Sequence, residues 1–279
     1  MLNNQGIQDY FQNGYTVWQS LLGSHQVKDL LKEIDCICGD NTLASHDKSR
    51  LEMEPDQPPH GMLVRRIYQP CTYYEPFREL SESAGLLDIV EKIVGPDIVF
   101  HYSKINMKPP AIGSVVEWHQ DLAYYPLTND SSVAVLLYLD DADTGNGCLQ
   151  VLPGRHHGDL MEHTQDGYFM GKIVTALDAS KAVPLEAKAG SAIFMHAMTP
   201  HASVTNTSSR SRRTLILSYR AADAFPIYFG EATGEMEMYT RLVRGKPALS
   251  ARFSFQHFPI PRHKQKTASL YELQELSRR

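Results

Sequence analysis

The chain has 279 residues and a mass of 31.4 kDa, with 42% apolar and 21% charged side chains, a net charge of −5 and a pI of about 6.2. That length supports one large core, and no Pro/Gly/Ser linker divides it, so a single domain over residues 1–279 is expected. Mild acidity offers no overall field for nucleic acid or an anionic membrane, and no run approaches the eighteen or so apolar residues of a membrane span. The opening M-L-N-N-Q-G-I-Q-D-Y-F lacks a basic stretch followed by an apolar run, so no secretory signal is read there. Cys36, Cys38, Cys71 and Cys148 lack zinc-type spacing and read as reduced thiols. The expectation is a cytoplasmic protein acting on a small molecule. Nothing in the sequence speaks to its oligomeric state.

Residues 1–95 are expected to be mainly helical. Val27, Leu30, Leu31, Ile34 and Ile37 follow helical spacing, with Ser24 as N-cap and Gly39 as stop. A second helical pair is expected from Pro76 to Val94, ahead of Gly95-Pro96. Between them Leu43 to Pro70 is polar, contains proline and shows no periodicity, and so reads as a long loop. It and the loop around Glu162 to Lys172 are candidate lids.

After Pro96 the texture becomes strand-like. Candidate strands are D-I-V-F-H-Y-S-K-I-N-M-K-P-P, V-A-V-L-L-Y-L-D (133–140), C-L-Q-V-L-P (148–153), S-A-I-F-M-H-A (191–197) and R-T-L-I-L-S-Y-R (213–220). Short strands between Gly, Pro and Asn predict a sandwich or barrel, so the fold class is mainly β with flanking helices. Residues 96–223 form the expected β core. Residues 224–279 are a C-terminal extension, closed by an amphipathic helix in S-L-Y-E-L-Q-E-L-S-R.

Within E-W-H-Q-D-L-A-Y-Y-P (117–126), His119 and Asp121 stand two residues apart. In a strand, i and i+2 point to one face, so both side chains reach for the same point. Two histidines and one carboxylate are a common ligand set for redox iron. The third ligand must come from elsewhere among twelve histidines. His201, which follows Pro200 at the end of a strand-like segment, is preferred, with His196 as its competitor. Downstream, Arg210, Arg212 and Arg213 either form an exposed basic turn or send one guanidinium inward. Arg212, Thr214, Ile216 and Ser218 share a face, and a buried Arg calls for a carboxylate partner. Tyr124 and Tyr125 either line a substrate pocket or pack under the sheet.

Four segments, in this order and with these gaps, resemble the phytanoyl-CoA dioxygenase family of iron(II)/2-oxoglutarate oxygenases. They are H-Q-D-L-A-Y-Y-P, N-G-C-L-Q-V-L-P-G-R-H-H-G (146–158), F-M-H-A-M-T-P-H-A-S-V-T-N (194–206) and R-R-T-L-I-L-S-Y (212–219), within about residues 97–223. The resemblance implies a double-stranded β-helix, the cupin-like jelly-roll barrel. It implies Fe(II) held by His119, Asp121 and His201, with 2-oxoglutarate and O2 as co-substrates. It implies Arg212 on the distal carboxylate of 2-oxoglutarate with Thr214 beside it, and Gln120, Ser203 and Lys104 along the co-substrate pocket. Related halogenases replace the H-x-D carboxylate with Ala or Gly. Asp121 is present here, which points to hydroxylation. Desaturation, cyclisation or demethylation by the same chemistry stays open, as does a non-catalytic metal-binding cupin-like module. An acyl-CoA substrate would need basic residues for its phosphates, and the only such run beyond the arginine turn is P-R-H-K-Q-K (261–266).

Overall fold

The computed structural model describes residues 4–227, 237–260, 262–263 and 270–277. The basic run at 261–266 therefore lies outside the described residues, apart from Arg262 and His263.

In chain order the helices are α1 (Asn4–Asn13), α2 (Ser24–Cys38), α3 (Pro70–Tyr73), α4 (Glu75–Ser81), α5 (Ala84–Val94) and α6 (Leu270–Leu276). Strands β1 (Tyr15–Trp18), β2 (Leu51–Met53) and β3 (Val64–Tyr68) precede β4 (Ile98–Lys108), β5 (Val116–His119), β6 (Ser132–Tyr138) and β7 (Gln150–Val151). Next come β8 (Thr164–Gln165), β9 (Tyr168–Phe169), β10 (Val183–Pro184), β11 (Ala192–His196), β12 (His201–Ser203), β13 (Arg212–Ala221) and β14 (Arg241–Arg244).

Two antiparallel sheets carry the fold. The larger runs β1-β11-β6-β13-β4-β3-β2, with β14 added beside β4, and the smaller runs β10-β7-β12-β5. Alternation along the central strands sorts residues to two faces. Val133, Val135 and Leu137 of β6 and Leu215, Leu217 and Tyr219 of β13 pack outward against Val27, Leu30, Ile34, Phe77, Ile89 and Val90 of the helices. Ala134, Leu136, Tyr138 and Ile216 face inward, against Leu149 and Val151 beside the smaller sheet. Each such fully buried aliphatic side chain contributes about 1.5–3 kcal/mol. The jelly-roll expectation is met in this form, two facing antiparallel sheets with helices on the outer side of one.

Three sequence expectations change. Gly23, not Ser24, caps α2, and its N–H donates to Gln26 Oε1 at 3.0 Å. Gly39 does end that helix. Leu43 to Pro70 is not one long loop, because it contains β2 and β3, which pair with each other and with β4. This proline-containing stretch hides two strands too short to show a period. With β1, they make the N-terminal third a contributor to the large sheet as well as to the helical layer. Among the described residues no helix is long and apolar enough to cross a membrane, and all four cysteines are free.

The extension returns to the core through α6. Gln274 accepts from the Glu117 N–H at 3.0 Å and donates to the Gly171 carbonyl. Glu275 pairs with the buried Arg65 at 2.8 Å.

Candidate metal and co-substrate site

His119 and His201 face each other as a cross-strand pair between β5 and β12. Opposed residues of antiparallel strands project to one side, and their ring centroids are 4.1 Å apart. Asp121 arrives by a different route from the one expected. β5 ends at His119, and Asp121 opens a short 3-10 turn. Gln120 between them is still extended, at φ −116 and ψ 130, so the alternation survives one residue past the strand. Asp121 Oδ1 lies 3.8 Å from Nε2 of each histidine, and one ligand atom from each residue falls within 4.8 Å of the others.

The donor set suits a metal. Nδ1 of His119 donates to the Glu117 carbonyl at 2.8 Å, and Nδ1 of His201 to the Thr199 carbonyl at 3.0 Å. A carbonyl only accepts, so Nδ1 carries the proton in both rings and Nε2 presents a lone pair. Burial, reinforced by the neighbouring His201, pushes His119 well below the ordinary histidine range. Burial also lowers His201, against the opposing pull of Asp121. Both rings are therefore neutral near pH 7, the form that ligates. Asp121 at 5% exposure completes a two-histidine, one-carboxylate set with the remaining directions open to the cavity.

The competitor His196 stands elsewhere. Its Nδ1 accepts the Met198 N–H at 3.1 Å, and its ring lies tilted against those of Tyr10 and His156. Desolvation brings it down to about 4, and His101 to about 3. An unfolded histidine titrates near 6.5. Between those values the unfolded chain binds more protons than the folded one, so stability falls as pH drops below 6.5. We expect the denaturation midpoint of the metal-free protein to decline from neutral pH to about pH 5. A flat midpoint over that range would mean these rings are not desolvated.

The three arginines separate cleanly. Arg210 pairs with Asp143. Arg213 engages both oxygens of Asp140 and reaches Asp35 at 3.3 Å. Arg212 is 6% exposed, and its Nη1 and Nη2 donate to Thr214 Oγ1 at 3.0 Å and the Gly147 carbonyl at 2.5 Å. Its Nε is buried without a partner, and among the described residues no carboxylate pairs with it. A buried guanidinium held only by neutral acceptors is an anion site. Arg212 lines the same cavity as His119, Asp121 and His201, together with Lys104, Asn106, Ser203 and Leu270. Burial, against the attraction of Asp121, brings the Lys104 ammonium down to about 8.

Gln120 departs from expectation. It is fully buried and does not line the cavity. Its Nε2 donates to the Met198 carbonyl and its Oε1 accepts the Met161 N–H, both at 2.7 Å. It braces the turn that aims Asp121. Tyr124 stands edge-on to His119 at 5.5 Å and donates to the Gly171 carbonyl, and Phe169 of the 162–172 segment packs on it at 4.9 Å. Tyr125 packs against His101 and Tyr102. Asn106, which lines the cavity, was missed by sequence reading and could have been found by following the inward phase of β4 from Lys104.

Gly147 supports Arg212 directly. Its φ of +73 is left-handed, and a Cβ there would run into the Val204 carbonyl. Gly147→Ala is expected to lower stability by more than about 1–2 kcal/mol and to weaken 2-oxoglutarate binding by displacing the carbonyl that Arg212 holds. Thermal denaturation with a co-substrate titration checks both effects.

Comparison with known proteins agrees with this geometry. Residues 10–214 match the family described as phytanoyl-CoA dioxygenase (PhyH), a span that takes in the N-terminal helices as well as the β core. A relative from Stutzerimonas stutzeri, named a probable alpha-ketoglutarate-dependent hypophosphite dioxygenase, is 32% identical over 260 residues, 91% of this chain and 90% of its own length. The 2-aminoethylphosphonate dioxygenase of an uncultured bacterium, HF130_AEPn_1, is 30% identical over 158 residues, 56% of this chain and 59% of its own. The solved structure of a non-heme monooxygenase, ThoJ, shares the fold at a TM-score of 0.68 and 19% identity, covering 92% of this chain and 88% of that one.

Proposed function

The chain belongs to the phytanoyl-CoA dioxygenase family of iron(II)- and 2-oxoglutarate-dependent oxygenases, and from that premise we propose how its own residues serve the reaction. His119, Asp121 and His201 hold the iron, and Arg212 with Thr214 holds the distal carboxylate of 2-oxoglutarate. The observation that carries this reading is Arg212, a buried cation without a carboxylate partner, in the cavity onto which two Nε2 lone pairs open.

Iron(II), when bound, supplies the redox chemistry by which a substrate R–H, O2 and 2-oxoglutarate become R–OH, succinate and CO2. The protein's part is positioning. The Glu117 and Thr199 carbonyls fix the two rings, and Gln120 fixes the turn that carries Asp121. The guanidinium of Arg212 sets where the co-substrate lies, and an error of an ångström in such placement costs roughly 100-fold. Leu270 of α6 lines the cavity, and Tyr124, edge-on to His119 and backed by Phe169, packs beside it, which limits access of bulk water to the reacting bond. Ser203 and Lys104 line the co-substrate side. The substrate is a small molecule, as in the two relatives, whose names specify hypophosphite and 2-aminoethylphosphonate.

Anaerobic titration of the purified protein with iron(II) and then 2-oxoglutarate tests the reading. A weak visible charge-transfer band is expected, with succinate release once O2 and substrate are added. Iron binding without a band would leave a metal-binding module and remove the co-substrate assignment.

A further inference from the structure

The large sheet carries a second buried guanidinium on its cavity side. Register aligns Arg66 of β3 with Asn106 of β4 and Thr214 of β13 in one row, next to the row of Tyr68, Lys104 and Ile216. Arg66 is 4% exposed. Its Nε donates to Asn106 Oδ1 at 3.1 Å, and its Nη2 is buried without a partner. The nearest carboxylate, Glu52, forms a long ion pair with Nε at 3.9 Å, beyond hydrogen-bond reach. Glu52 is instead engaged by Arg65 at 2.7 Å and Tyr68 at 2.9 Å. The Tyr271 and Tyr68 rings lie 4.9 and 5.8 Å from the guanidinium carbon, which holds its plane still.

Charge points the same way. Asp121 is the only carboxylate lining the cavity among the described residues. With iron(II) and the 2-oxoglutarate dianion in place, those two, Asp121 and Arg212 cancel. Lys104 is left over in the cavity, and Arg66, behind Asn106 in the same row, keeps only a long pair with a carboxylate that Arg65 shares, an arrangement that an anion would stabilise.

We propose that Arg66, presented by Asn106 and backed by Lys104, is the subsite for the substrate's charge, and that the molecule oxidised is a small oxyanion. This rests on the reading of the cavity as an iron and 2-oxoglutarate site. The planar guanidinium fork matches two oxygens of a phosphonate, phosphinate or carboxylate group. Asn106 sets the fork's direction, and Tyr271 makes α6 one wall of the subsite.

Calorimetric titrations of the iron(II)–2-oxoglutarate protein without O2 test it. The probes are hypophosphite, methylphosphonate, acetate and the neutral dimethyl ester of methylphosphonate, with 2-oxoglutarate titrated separately, for the unaltered protein and Arg66→Gln. At least one oxyanion is expected to bind, and the neutral ester at least roughly tenfold more weakly. Arg66→Gln is expected to weaken the oxyanion by roughly 10- to 100-fold and to leave 2-oxoglutarate affinity unchanged. Preference among the probes separates phosphorus oxyanions from carboxylates. If 2-oxoglutarate binds but no oxyanion binds better than the ester, the subsite is wrong and the oxygenase reading stands. If Arg66→Gln weakens 2-oxoglutarate equally, Arg66 belongs to the co-substrate and the proposal falls. If 2-oxoglutarate does not bind the unaltered protein, both readings fall. Should Arg66→Gln not fold, the unaltered protein decides: oxyanion affinity must drop as sodium chloride is raised while ester affinity holds, and salt-independent binding overturns the subsite.

Discussion

Arg212→Ala is expected to raise the 2-oxoglutarate concentration needed for half-maximal succinate release by on the order of 100-fold, from the loss of charge-assisted bonds worth about 1.5–3 kcal/mol each. Arg213→Ala, one residue away, is expected to change it little. The contrast follows from their surroundings. Arg213 is held by Asp140 and Asp35, so its loss is felt as a surface ion pair. Arg212 has only the Thr214 hydroxyl and the Gly147 carbonyl. Removing a buried cation that lacks a carboxylate also relieves a desolvation cost. The ligand-free Arg212→Ala protein should therefore melt close to the unaltered one, while the stabilisation conferred by 2-oxoglutarate disappears. The reverse order of the two variants would put the other face of β13 toward the cavity.

Asp121→Ala is expected to abolish turnover, by more than the roughly 10- to 100-fold that changes around a metal's ligands cost, with the fold retained. Its carboxylate sits 3.8 Å from both Nε2 atoms, too far for hydrogen bonds, so little folding energy is held there. Gln120, whose amide braces the turn, stays in place. Iron titration, succinate release and thermal denaturation together decide it. Full turnover in the variant would remove Asp121 from the ligand set. An unfolded variant would show that the turn, rather than the metal, depends on the carboxylate.

Much of the site was legible because its signals are local. His119 and Asp121 are two residues apart in extended backbone, so alternation alone aims them together. Arg212 and Thr214 share a face of β13 by the same alternation, and the bond between them is the result. The nearly continuous apolar runs of β6 and β11 were legible as strands, since strands covered on both faces need such sequence. The gap was the stretch from Leu43 to Pro70. β2 has three residues and β3 five, and β3 carries Arg65 and Arg66 where a pattern reader looks for apolar alternation.

By itself, then, the sequence determined the mainly β class, the H-x-D pair and the presence of a candidate arginine within the R-S-R-R segment at 210–213. Only the tertiary structure decided which distant groups complete the site, because each choice depends on register between strands remote in the chain. His201 is the partner of His119 because β12 lies against β5 with those two residues opposed, while His196, five residues earlier, ends β11 in the other sheet. Arg212 rather than Arg213 faces the cavity because pairing with β4 and β6 sets the phase of β13. Arg66 reaches the same face only because β3 adds to β4 opposite Asn106. A shift of one residue in any of these ladders would turn the side chain to the other side of its sheet.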